Sequence, residues 1–116
     1  DTILTPQGHQ NPASFGTFPR VLSPYVEAGL FSLEEAVRKM TGAAAERLGW
    51  SDRGFVRRGA AADLVVFDPA RLRDTARFEA PSREPEATEH VLVNGAVVRA
   101  AGRYDASARA GTVLRS

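Results

Sequence analysis

Imidazoles and paired carboxylates are the side chains that most often hold metals or move protons near neutral pH. This chain offers few of them. Its two histidines are His9 and His90. No His-x-His or His-Glu-x-x-His pair occurs, and no carboxylates stand at a spacing that marks an acid–base pair. His90, between Glu89 and Val91 in an apolar run, reads as a residue on the rim of a sheet. His9 sits in an irregular stretch, where an imidazole serves either chemistry or solvent. The chain has no cysteine, which removes a thiol nucleophile, a zinc ribbon and a disulfide framework from consideration. Gly8, Gly16, Gly54 and Gly59 do not compose a phosphate-binding loop. Arg53, Arg57 and Arg58 are scattered, which suits a solvated face better than a nucleic-acid groove. Taken bare, these residues name no reaction.

The chain as a whole sets further bounds. Its 116 residues suffice for one domain or a piece of a larger one. Hydrophobic residues make up 43% and charged residues 25%, the ordinary balance of a globular protein. Fifteen Lys and Arg against 14 Asp and Glu leave a net charge of +1, so no broad basic field attracts nucleic acid or a membrane surface. No apolar run approaches the roughly 20 residues that a membrane-crossing helix needs. The first residue is Asp1 rather than Met and no leader follows, from which we expect part of a longer polypeptide, and a cytoplasmic one.

Texture changes near residue 51. Residues 1–16 are rich in turn formers and lack periodicity. Thr17 is placed to cap a helix carrying Phe18, Val21, Leu22, Tyr25 and Val26 on one side, with Pro19 in its first turn. Pro24 is expected to kink that helix or restart it at Ser23, and Gly29 to end it. Ser32 and Glu35 form a capping box before Leu33, Ala36, Val37 and Met40 at helical spacing. Thr41 is placed to cap a short helix, Ala43 to Leu48, stopped by Gly49. The rest reads as strands. Ala62–Asp68 has the composition of a well-buried strand, and Asn94-Gly95 between two β-branched runs predicts a type I′ hairpin. Arg71 to Glu89 is charged and proline-containing, as an exposed connection is, and Thr112–Arg115 offers a last edge strand.

Gly16-Thr17-Phe18-Pro19-Arg20-Val21-Leu22 and the following Ser32-Leu33-Glu34-Glu35-Ala36-Val37-Arg38-Lys39-Met40-Thr41 closely resemble the C-terminal part of the N-acyl-D-amino-acid deacylases. These D-aminoacylases belong to the metal-dependent amidohydrolases. The similarity continues through Asp52-Arg53-Gly54, Gly59 to Asp68, Val91-Leu92-Val93-Asn94-Gly95 and Gly111 to Arg115, so it covers nearly the whole chain. The Ala62–Asp68 strand and the Val-Asn-Gly hairpin are shared by many amidohydrolases, including dihydropyrimidinase-like ones. Gly-Thr-Phe-Pro-Arg joined to Ser-Leu-Glu-Glu-Ala-Val is narrower.

The resemblance implies an α/β plus β architecture. Residues 1–50 become the last loop and closing helices of a (β/α)₈ barrel, and residues 51–116 the C-terminal part of a small β-sandwich. A barrel takes about 250 residues, so most of it would precede Asp1. It implies hydrolysis of the amide of a small N-acyl amino acid by a water activated on Zn²⁺. Asp1 falls where the family places a carboxylate that meets both metal and water, serving as general base and then acid. The remaining metal ligands would lie upstream, so we expect this chain alone to bind no zinc and to be inactive. Family members commonly carry His-Pro-Arg where this chain has Asn11-Pro12-Ala13. Ala13 offers no grip on a substrate carboxylate, which leaves Arg20, Asn11 and His9 as candidate substrate contacts. Partners expected are the missing N-terminal part of the polypeptide and, through exposed apolar faces, another copy of the protein. The alternatives are a hydantoinase-like cyclic-amide hydrolase and a non-catalytic β-rich binding or oligomerisation module.

Overall fold

The computed structural model describes residues 8–114. Among them run α1 (Ala13–Arg20), α2 (Leu33–Met40) and α3 (Gly42–Arg47), then β1 (Leu64–Phe67), β2 (Thr88–Val93), β3 (Ala96–Ala100) and β4 (Arg103–Tyr104). Helices precede strands, as the texture of the sequence predicts.

The first helix starts earlier than Thr17. Asn11 caps it, its Oδ1 accepting from the Ala13 N–H at 2.9 Å. Pro12, immediately before Ala13, already has helical angles, φ −55° and ψ −28°, and its missing N–H has no intrahelical partner to lose. Thr17 lies inside the helix and its hydroxyl donates back to the Ala13 carbonyl at 2.7 Å. Pro19 consequently falls in the last turn rather than the first. Pro24 has no N–H for the Arg20 carbonyl, and its ring would press on that oxygen. The chain answers with a π-turn over Val21–Tyr25, not with a restart at Ser23. The side turned inward is Gly16, Pro19 and Ser23, whereas Phe18 is 63% exposed and Tyr25 also faces out.

Both helix-ending glycines do what their positions predict. Gly29 takes φ +71° and Gly49 φ +73°. Leu30 N–H reaches back to the Tyr25 carbonyl and Gly29 N–H to Val26; Trp50 and Gly49 repeat the pattern onto Ala45 and Glu46. These paired bonds satisfy carbonyls that the helix ends would otherwise leave open. Half of the capping box at α2 forms: Ser32 Oγ accepts from the Glu35 N–H at 3.1 Å, while the Glu35 carboxylate faces Lys39 at 3.8 Å. Thr41 stands at the start of α3 without capping it by its side chain, because its hydroxyl donates to Val37 O at 2.8 Å.

The strands form one antiparallel sheet in the order β1-β2-β3-β4. Asn94 and Gly95, with φ of 48° and 82°, make the expected tight turn between β2 and β3. The expectation of a well-buried β1 fails: Val65 is 59% and Val66 49% exposed, and since neighbouring strand residues point to opposite faces, neither face is fully covered among the described residues. No strand forms over 112–114, and Arg115 lies outside the described residues. The connection from Arg71 to Glu89 is not simply exposed either. It folds back on itself through bridges Arg73–Glu86 and Arg77–Ala80. Leu72 and Ala76, both 2% exposed, join Ala36 and Ala45 as the buried hydrophobic residues among those described. Three alanines and one leucine make a small interior. Polar clasps supplement this small core in joining the helical half to the connection between β1 and β2.

Candidate functional site

The segment from His9 to Arg20 carries three of the four candidate site residues, and the geometry shows what holds each. Asp1, the fourth, lies outside the described residues. His9 is exposed, and its Nε2–H donates to the Phe78 carbonyl in the connection between β1 and β2. Asn11 spends its side-chain oxygen on the α1 cap. Arg20 stands at the other end of α1, nine residues on, or about 13 Å along the helix axis. Its Nε and Nη2 both donate to Asp74 Oδ2, at 2.9 and 2.6 Å. The fold thus sets His9 and Asn11 together before the helix and draws Arg20 away from them onto Asp74.

Asp74 gives no sign of this role in the sequence, where it is one acid in a charged connection 54 residues from its partner. Its side chain is 7% exposed. Oδ1 accepts from the Ala76 N–H at 3.0 Å and lies against Gly16, where any Cβ would overlap the carboxylate. The glycine of Gly-Thr-Phe-Pro-Arg is thus required by close approach. Nearby, Arg73 Nη1 donates to the buried Ser23 hydroxyl at 3.2 Å, and that hydroxyl donates to Glu27 at 3.2 Å.

A second clasp gathers three of the other motifs. Arg53 Nη1 donates to Asp63 Oδ2 at 2.6 Å, while its Nε and Nη2 reach Asp52. Asp63 Oδ1 accepts from the Asn94 N–H at 2.8 Å, and the Asn94 amide donates to the Ala110 carbonyl at 2.7 Å. Asp52-Arg53-Gly54, Ala62-Asp63 and Asn94-Gly95 are distant in sequence and meet here. The Arg53 guanidinium, hydrogen-bonded to Asp52, holds that carboxyl below its ordinary range. Asp105 is likewise held low by the Ser107 hydroxyl and N–H.

Neither clasp is a metal centre. Among the described residues, no three His, Cys, Asp or Glu side chains gather to hold an ion, whereas a catalytic zinc usually takes three protein ligands. The described residues do not fit zinc. What they build is a frame: a pinned approach to α1 and a pinned hairpin.

The frame matches known proteins closely. The D-aminoacylase of Alcaligenes xylosoxydans xylosoxydans is 53% identical over 89 residues, 76% of this chain and 18% of that protein. A crystal structure of D-aminoacylase, described as defining a novel subset of amidohydrolases, superposes with a TM-score of 0.87 at 46% identity over 93% of this chain and 23% of that one. The N-acyl-D-glutamate deacylase of Bordetella bronchiseptica, solved with zinc and a phosphonate mimic of the tetrahedral intermediate, superposes at 0.85 with 42% identity over the same shares. The chain therefore spans about a fifth of the length of these relatives. The amidohydrolase family profile matches residues 24–99, from the π-turn through β3 and across the Arg53–Asp63–Asn94 clasp, and on that match the chain belongs to the amidohydrolase family.

Proposed function

We propose that this chain is the C-terminal part of an amidohydrolase that cleaves the amide bond of N-acyl-D-amino acids. In this reading residues 1–50 finish a (β/α)₈ barrel and residues 51–116 form part of a β-sandwich packed beside it. The observation that carries the proposal is the superposition of 93% of the chain on D-aminoacylase at a TM-score of 0.87. Exposed Val65, Val66 and Phe18 support it, since each presents apolar surface that further protein would cover.

The catalytic carboxylate in this reading is Asp1, which takes a proton from the attacking water and delivers it to the departing amine. His9, its Nε2 held on the Phe78 carbonyl, is the contact proposed for the substrate, and Asn11 and Arg20 act by holding α1. The zinc seen in the Bordetella enzyme would be held by side chains outside those described here.

The test is to express the complete natural polypeptide containing this chain and follow amine release from N-acetyl-D-amino acids, their L-enantiomers and cyclic amides such as hydantoins. Hydrolysis confined to the D-series supports the proposal. Ring opening of the cyclic amides in its place would assign the protein to the hydantoinase-like alternative. Absence of any C–N hydrolysis by the metal-loaded protein would leave the binding-module alternative. The 116 residues alone are expected to release no amine.

A further inference from the structure

Asp74 belongs by sequence to the connection between β1 and β2, yet its carboxylate serves the helical half. Oδ2 takes two donors from Arg20, and Oδ1 takes the Ala76 N–H while closing against Gly16. Four residues further on, the Phe78 carbonyl receives the His9 imidazole. The same connection thus grips the segment 9–20 at three places: its beginning at His9, its middle at Gly16 and its end at Arg20. We infer that Asp74 is a positioning residue for the stretch that carries His9 and Asn11, setting α1 against the connection between β1 and β2 so that the approach to the helix has one conformation. Calling that stretch substrate-facing rests on the proposed function; the grip itself does not.

The chemistry of the contact argues for placement more than for bulk stability. A nearly buried carboxylate with both oxygens engaged fixes direction as well as distance. The two nitrogens of Arg20 that share one oxygen leave the other for the connection's own backbone, so the helix is tied to a point that is itself tied. Gly16 lets α1 approach to contact distance, and no side chain at that position would allow the same docking.

The experiment uses the complete polypeptide and three variants, Asp74→Ala, Gly16→Ala and the double variant. Hydrogen exchange is read by segment. In Asp74→Ala the amides of residues 11–20 are expected to exchange about tenfold faster while those of α2 and α3 stay as protected as before. Gly16→Ala is expected to act in the same direction. The double variant should be no worse than Asp74→Ala, because the carboxylate that the new methyl strikes is gone. For hydrolysis of an N-acetyl-D-amino acid, Asp74→Ala should raise KM about tenfold with kcat within about twofold, the split expected when binding geometry is loosened and the reacting groups are intact. Unchanged exchange at 11–20 overturns the inference, as does acceleration spread evenly over α2 and α3, or a fall in kcat at constant KM. If the parent polypeptide hydrolyses no N-acyl-D-amino acid, the proposed function has failed, and the exchange arm alone decides the role of Asp74.

Discussion

Residues 11–50 and residues 63–104 face the same requirement, regular structure whose ends leave backbone groups without partners, and they meet it over different distances. In the helical half the ends that are capped are closed from nearby: Asn11 and Ser32 accept from N–H groups two or three residues on, and the bonds around Gly29 and Gly49 span three to five. In the sheet the tight turn is held from afar. Asn94 N–H goes to Asp63, Gly95 N–H to the Ala62 carbonyl and the Asn94 amide to Ala110. The helix caps are short-range chemistry, whereas the tight turn depends on chain that must already be in place. Substitutions at the caps should therefore act locally and those at the turn should propagate.

The largest effect is expected where the N-terminal side is assigned chemistry. Asp1→Asn in the complete polypeptide should lower kcat by about 10²–10⁴, the usual worth of a positioned proton-transfer group, with folding unchanged by circular dichroism. Retention of full activity would move the catalytic carboxylate elsewhere. Next comes the sheet. Asp63→Ala removes acceptors from both Arg53 and the Asn94 N–H and should destabilise by about 1–3 kcal/mol, measured as a lowered urea midpoint. Its signature is faster exchange on both sides of the hairpin; an effect confined to residue 63 would erase the contrast between the halves. Ser32→Ala, a cap of purely local reach, should cost about 1 kcal/mol and speed exchange only in the first turn of α2.

The smallest effect concerns pH. Because Arg53 depresses the Asp52 pKa in the fold, the stabilising contribution is present above the unfolded value and is lost as pH falls through the folded one. A carboxyl titration of Asp52 by NMR should show a midpoint below that of a free aspartate. A midpoint at or above the free value would mean that Arg53 serves Asp63 alone.

The same difference in reach governs what the sequence discloses. Ser32, Gly29, Gly49 and Asn94-Gly95 announce their structures because a cap or a tight turn is decided within a few residues. Asn11-Pro12 carries an equally local signal, a capping side chain before a first-position proline, but it competes with Thr17 as a start and lies in a stretch crowded with turn formers. Burial of β1 is a different matter. Its apolar residues state only that something could cover them, and whether anything does depends on a second layer. Leu72 and Ala76 are buried from within a charged, proline-containing connection that has no periodicity to read. The site follows the same rule. His9, Asn11 and Arg20 can be picked out by type, but the partners of His9 and Arg20 lie 69 and 54 residues away and leave no trace in local pattern.

The π-turn at Val21–Tyr25 bears on how this protein tolerates changes in length. A π-turn holds one residue more than an α-turn, and each α-helical residue turns the chain by about 100°. Deleting a single position there would let the backbone rewind as ordinary helix, provided Pro24 is the residue removed. Everything from Val26 to Gly29 would then keep nearly its bearing about the axis relative to Gly16 and Pro19, because the residue removed is the one the wider turn accommodates. Such a one-codon deletion would keep the helix and its aim, whereas the same deletion inside α1 would turn Ser23 and Glu27 together by about 100° away from the Arg73 guanidinium.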